Sequence, residues 1–134
     1  MSTITLGTPS TRARRAGLVL LILAALFLAF DTTIKLIASP EALEGTKALG
    51  WPVGVVRPLG LVCLVLLVLL LVPQTAPLGA ILWTAYLGGA VATHVRVGNP
   101  LFSHLLFPTY VAAIIWTALY LRDTRVRALV ARRP

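Results

Sequence analysis

The sequence predicts an all-α integral membrane protein, a four-helix up-down bundle. Of its 134 residues, 58% are hydrophobic and only 12% charged, about half the charged fraction of a soluble domain. The apolar residues fall into four blocks, each near the roughly 20 residues that a membrane-crossing helix needs. Between the blocks stand proline and glycine clusters, the shortest of which permit only an antiparallel return.

Residues 1–15 are rich in Ser, Thr and Arg without an apolar period, and read as a basic tail. Helix one is expected over 16–37, ended by Ser39-Pro40 because proline cannot continue the hydrogen-bond ladder. Its start resembles an export signal, with Arg12, Arg14 and Arg15 before an apolar stretch. No small-x-small cleavage site precedes Asp31, however, and the run continues through Ile34, Leu36 and Ile37, so this is a retained first span. A polar loop with at most a short helical turn then carries Glu41, Glu44 and Lys47 to Gly50-Trp51-Pro52, where Trp51 suits the headgroup interface.

Helix two is expected over 53–72, and Pro73-Gln74-Thr75-Ala76-Pro77 turns the chain into helix three over 78–95. Gly98-Asn99-Pro100 supplies the next turn, helix four covers 103–121, and residues 122–134 form a second basic tail. Pro108 falls in the first turns of helix four, where a proline costs least. Helix three also carries Ala80, Thr84, Gly88 and Ala92 at four-residue spacing, with Ala85, Gly89 and Thr93 beside them. Small residues so spaced let backbones approach closely, here as a seam within the bundle.

The formal charge of +8 does not point to nucleic acid, because the arginines flank apolar runs, where retention of positive charge on the cytoplasmic side accounts for them. The tails hold eight arginines, Arg12, Arg14, Arg15, Arg122, Arg125, Arg127, Arg132 and Arg133, against Lys35, Lys47, Arg57 and Arg96 on the opposite side. That bias predicts a multi-pass protein of the cytoplasmic membrane with both termini in the cytoplasm. Cys63, the only cysteine, rules out an intrachain disulfide or a Cys-x-x-Cys pair and reads as a small packing residue.

The candidate site is an accumulation of ionisable groups at one end. Asp31 lies about 22 Å up helix one and His94 about 24 Å up helix three, at 1.5 Å per residue. Arg57 enters helix two from that same side, and Arg96 and His104 flank the turn after helix three. Asp31 and Lys35 are four residues apart and close enough to pair. Arg57 is a second candidate partner for Asp31, and Thr32 or Thr33 a donor to His94. Two readings fit. The cheaper is an ion-paired cap closing the bundle, since charges near helix ends cost less than at mid-bilayer. The other is a pocket for a small polar headgroup or a quinone ring. Metal binding is weakly signalled, as His94 and His104 show no His-x-x-x-His or Glu-x-x-His spacing.

Several motifs resemble the DoxX-like family of small four-helix bacterial membrane proteins. They are Lys35-Leu36, Leu49-Gly50-Trp51-Pro52, Leu71-Val72-Pro73, Trp83-Thr84-Ala85-Tyr86-Leu87-Gly88, and Thr93-His94 followed by Gly98. Two positions depart from the pattern: Thr93 stands where a serine is frequent, and Gln74 where a basic residue is frequent. The family's name comes from proteins linked to quinone-dependent thiosulfate oxidation. The resemblance therefore implies a small-ligand-binding or accessory subunit beside quinone-linked membrane redox enzymes. A quinone is then the candidate cofactor, and membrane oxidoreductase subunits join the lipid bilayer as partners. Lys35 and Thr93-His94 match the family's polar marks, so the candidate site comprises Asp31, Lys35, Arg57, Thr93, His94 and Arg96. The alternative is a structural or assembly protein with no ligand chemistry. Redox catalysis by the chain alone is not expected, since it carries one buried thiol and no cofactor box.

Overall fold

The computed structural model describes residues 8–131. The ends of both basic tails, including Arg132 and Arg133, lie outside the described residues. Six α-helices and no strand occur among those described: α1 (Thr11–Leu36), α2 (Pro40–Ala48), α3 (Val56–Leu71), α4 (Ala76–Val97), α5 (Phe107–Arg122) and α6 (Thr124–Ala131). Four helices are long and apolar enough to cross a bilayer, α1, α4, and α3 and α5 each with a short preceding turn. The expected all-α membrane bundle is what forms.

Helix three runs two residues longer at each end than expected, and helix four becomes α-helical only at Phe107, after a wider turn over Leu101–Leu105. Three larger differences arise where the capping residues Ser10, Ser39 and Asp123 outweigh apolar periodicity. The first helix begins at Thr11 and not Ala16, because the Ser10 hydroxyl accepts a hydrogen bond from the Ala13 N–H at 3.1 Å. Arg12, Arg14 and Arg15 therefore stand on its first turns and not in a tail. The expected polar loop after helix one contains the whole of α2, capped by Ser39, whose hydroxyl accepts from the Ala42 N–H at 3.2 Å, with Pro40 at its first position. The same Ser39-Pro40 pair that ends one helix starts the next. The C-terminal tail folds into α6, whose Val126 is buried against the bundle.

Arg125 fixes α6 in place. Its guanidinium donates to the Pro73 and Gln74 carbonyls at 2.6 and 3.1 Å and to Asp123 at 2.8 and 3.1 Å. Burial pushes the Asp123 carboxyl up, but the hydrogen bonds from Arg125 outweigh it and hold the group below its ordinary value. The end of the bundle bearing this clamp, the α3–α4 turn and the start of α1 is the proximal end.

The spanning helices form a ring in which α1 and α4 each pack on α3 and α5, leaving α1 and α4 on a diagonal. Seams close where a glycine admits a neighbouring backbone. A Cβ added at Gly79 would lie 2.5 Å from the Leu70 nitrogen, and one at Gly60 would lie 2.8 Å from the Leu36 nitrogen. The core fills the ring with Leu28, Cys63, Leu70, Ala80, Trp83 and Ile115. Outside it, large apolar residues such as Leu26, Phe30, Leu61, Val65 and Ile81 are exposed. Such a belt belongs against lipid.

The small-residue stripe of α4 is a seam along only part of its length. Ala80 is buried and the Thr84 hydroxyl accepts from the Trp116 indole N–H at 2.7 Å. Farther along, a Cβ added at Gly88 or Gly89 would meet nothing within 4 Å.

Candidate functional site

At the distal end, opposite the termini, the diagonal between α1 and α4 is not closed by core side chains. A cavity of about 770 Å³ lies there, within the size range of sites for small organic ligands. The α2 helix crosses over it, contributing Ala42, Thr46 and Ala48 to the wall, with Leu49 following at its C-terminal cap. Two left-handed residues, Ala38 at φ 50° and Gly50 at φ 81°, turn the chain into and out of α2.

Four of the six residues singled out from the sequence line this cavity: Asp31, Lys35, Thr93 and His94. Asp31 and Lys35 form an ion pair on one face of α1. The Lys35 ammonium also donates across the diagonal to the Tyr86 hydroxyl at 3.3 Å. An ammonium has three N–H donors, so one remains for another acceptor. The Tyr86 hydroxyl also lies beside Cys63 of α3.

His94 is held by Asn99, not by Thr32 or Thr33 as the sequence suggested. The Asn99 Nδ2 lies 2.7 Å from His94 Nδ1. With the amide nitrogen on that side, Asn99 donates to Nδ1, an arrangement that assigns the ring proton to Nε2. The left-handed Gly98, at φ 71°, folds the chain back so that Asn99 reaches the ring five residues earlier. Thr33 instead donates to the Ala29 carbonyl of its own helix at 2.7 Å, and the Thr32 hydroxyl is buried without a partner among the described residues. His104 stacks edge-on to His94 with ring centroids 6.1 Å apart and lines the cavity as well.

Arg57 and Arg96 do not line the cavity. Arg57 is exposed and forms no ion pair with Asp31 among the described residues. It stands in the first turn of α3, where its long stem lets the guanidinium reach the interface. Arg96 acts on α2 instead. It donates to the Leu49 carbonyl at 3.1 Å and lies over the Trp51 ring, 5.7 Å from its centroid. Arg96 thereby ties the end of α2 to α4.

The α2 side adds the polar groups of Glu41 and Thr46, and the other walls are mainly apolar and aromatic. Phe27 and Phe107 meet edge-to-face at 5.3 Å, and Trp83 meets Tyr86 in the same way at 5.6 Å. Trp83 lines the cavity, and its indole N–H is buried without a partner among the described residues. Tyr86, Trp83 and Asn99 were not singled out as site residues by charge pattern, because neutral side chains leave no trace in such a reading. Among the described residues no group of three His, Cys, Asp or Glu side chains is placed to hold a metal ion.

The chamber therefore joins a cluster of polar and charged side chains to aromatic walls inside a membrane bundle. The DoxX-like family model matches residues 19–118, which hold the second and third spans whole, most of the first and fourth, and every polar residue of the cavity. The chain belongs to the DoxX-like family. As a DoxX-like protein with four apolar helices, it is a multi-pass membrane protein. Neither a curated protein nor a solved structure matches it.

Proposed function

We propose that this DoxX-like protein binds a small amphiphile of the quinone class in its distal cavity and serves as a ligand-binding or accessory subunit beside quinone-linked membrane redox enzymes. The observation that carries this reading is the convergence of Lys35, Tyr86 and His94 on one chamber with aromatic walls. The unused Lys35 N–H and the Nε2–H of His94 suit carbonyl oxygens, and Phe27, Phe107 and Trp83 suit a flat ring.

The test uses protein in nanodiscs and the quenching of its tryptophan fluorescence by decylubiquinone, Trp83 being the reporter inside the wall. Wild type should show saturable quenching. His94→Ala removes a side chain whose one hydrogen bond is to Asn99, so the fold should persist while affinity falls about tenfold, the worth of one hydrogen bond to a bound ligand. If affinity and folded yield fall together, the cavity residues serve the bundle. An assembly role is the alternative, favoured by the Arg96 tie, which holds α2 to α4 from outside the cavity wall. Stoichiometric partner subunits with no saturable quenching would support that role instead.

The proposed orientation puts both termini in the cytoplasm and the cavity in the outer leaflet of the cytoplasmic membrane. Its support is the six arginines Arg12, Arg14, Arg15, Arg122, Arg125 and Arg127 at the proximal end, against Lys35, Lys47, Arg57 and Arg96 at the distal end. A reporter active only outside the cytoplasm should work when inserted near Glu44 and fail at the C-terminus. Activity at the C-terminus would reverse the orientation.

A further inference from the structure

The route into the cavity is written in the register of α3 against α4. Gly79 of α4 meets Leu70 of α3, and Tyr86 of α4 lies beside Cys63 of α3. In an antiparallel pair the residue numbers of facing positions have a constant sum, and both of these pairs obey the same one. Continued upward, the register sets Gly89 opposite Gly60 and Thr93 opposite Val56. Gly79, Leu82, Tyr86, Gly89 and Thr93 also follow the alternating three and four spacing of one helix edge, so Gly89 lies on the edge that faces α3.

Neither glycine fills the space between the helices. Gly60 presses on α1, where an added Cβ would lie 2.8 Å from the Leu36 nitrogen and 3.0 Å from the Lys35 Cβ. Gly89 on the other side meets nothing within 4 Å. Ala85 and Gly89 both line the cavity and both remain exposed, and from the whole of α3 only Leu59 contributes to its wall. Below this level the Cys63–Tyr86 pair closes the seam, and above it Val56 is buried. The result is a window with a sill and a lintel.

Depth decides what the window faces. Gly89 is eight residues and Ala85 twelve residues before Val97, the end of α4, or about 12 and 18 Å down the helix at 1.5 Å per residue. Both lie within a hydrocarbon layer about 30 Å thick. The aqueous side is roofed by α2, whose Ala42 is buried and whose far end is held by Arg96.

We infer that the cavity is loaded sideways from the hydrocarbon through the window between Gly60 and Gly89, so that its occupant is a membrane-partitioned amphiphile and not a water-soluble solute. This rests on the ligand-binding reading above and adds the path and the solubility class.

Stopped-flow quenching by decylubiquinone in nanodiscs separates the two levels. Gly89→Phe puts a ring where nothing stands within 4 Å of the Cβ, so the bundle need not move. Association and release should both slow about tenfold, as for a narrowed gate, with affinity nearly unchanged. Gly88→Phe, the same change at a position outside the cavity wall, and Arg96→Gln, which loosens the roof, should leave both rates at the wild-type value. Unchanged rates in Gly89→Phe, or faster exchange in Arg96→Gln, would overturn the window. So would weaker affinity carried by faster release, which would place the new ring in the binding site itself. Absence of saturable quenching in wild type would instead remove the binding reading, and the window with it.

Discussion

Gly79→Val is expected to deprive the chain of its folded bundle. The new Cβ would stand 2.5 Å from the Leu70 nitrogen, 2.7 Å from its Cα and 2.8 Å from the Leu69 carbonyl carbon. These are backbone atoms, so no rotamer change relieves the clash, and α4 must retreat from α3 by about 1 Å to reach ordinary contact. In water, hydrophobic burial would oppose such a retreat. Between helices in lipid that force is absent, and close packing itself holds the pair together. Ala76 and Ala80, buried on the neighbouring turns, would lose contact as well. Overpacking against backbone should cost roughly 3 kcal/mol or more, read as a lower midpoint in denaturing-detergent titration of the purified protein. Gly88→Val, where the added atom meets nothing within 4 Å, should stay near the wild-type midpoint. Equal midpoints for the two variants would mean that α3 and α4 do not meet at Gly79.

That contrast also shows what could be read from the sequence. Four apolar blocks and their turns gave the spans directly, because length and hydropathy are the requirements of the bilayer itself. Asp31, Lys35 and His94 were legible as a cluster because charge is rare in a span and because hairpin topology brings the same ends together, whereas the neutral Thr93 entered only through the family resemblance. The helix-three stripe looked uniform, yet Ala80 is buried in a seam and Gly89 leaves one open. Spacing cannot distinguish these, since the difference lies in what the facing helix presents. Arg57 and Arg96 were grouped with the site by depth alone. Depth says nothing of direction around the helix, and Arg96 turns toward Leu49 and Trp51. The α2 roof was read as a loop because a polar stretch after a span resembles one, although Ser39, Pro40 and Glu41 form a helix-start signal.

The sharpest discrimination between a structural cap and a binding site comes from taking the Asp31–Lys35 pair apart in two ways. Lys35→Met leaves a carboxylate inside the bundle with no cation paired to it among the described residues, Arg57 being exposed and unpaired with it. A lone charge in a span costs roughly 2 to 3 kcal/mol, less than a fully buried broken pair because the Asp31 side chain is 31% exposed. Asp31→Asn should cost less, since Lys35 keeps Tyr86 as acceptor and has the length to reach the interface. The double variant Asp31→Asn/Lys35→Met removes both charges and should regain about 1 to 2 kcal/mol over Lys35→Met alone, a coupling that a double-mutant cycle in detergent titration measures directly. Stability and ligand binding then separate. The double variant has no ammonium proton to offer an acceptor, so decylubiquinone quenching should stay weak in a protein whose fold has been restored. A double variant that regains its stability and also binds the quinone as wild type does would make the ion pair a cap, with recognition left to His94 and the aromatic walls.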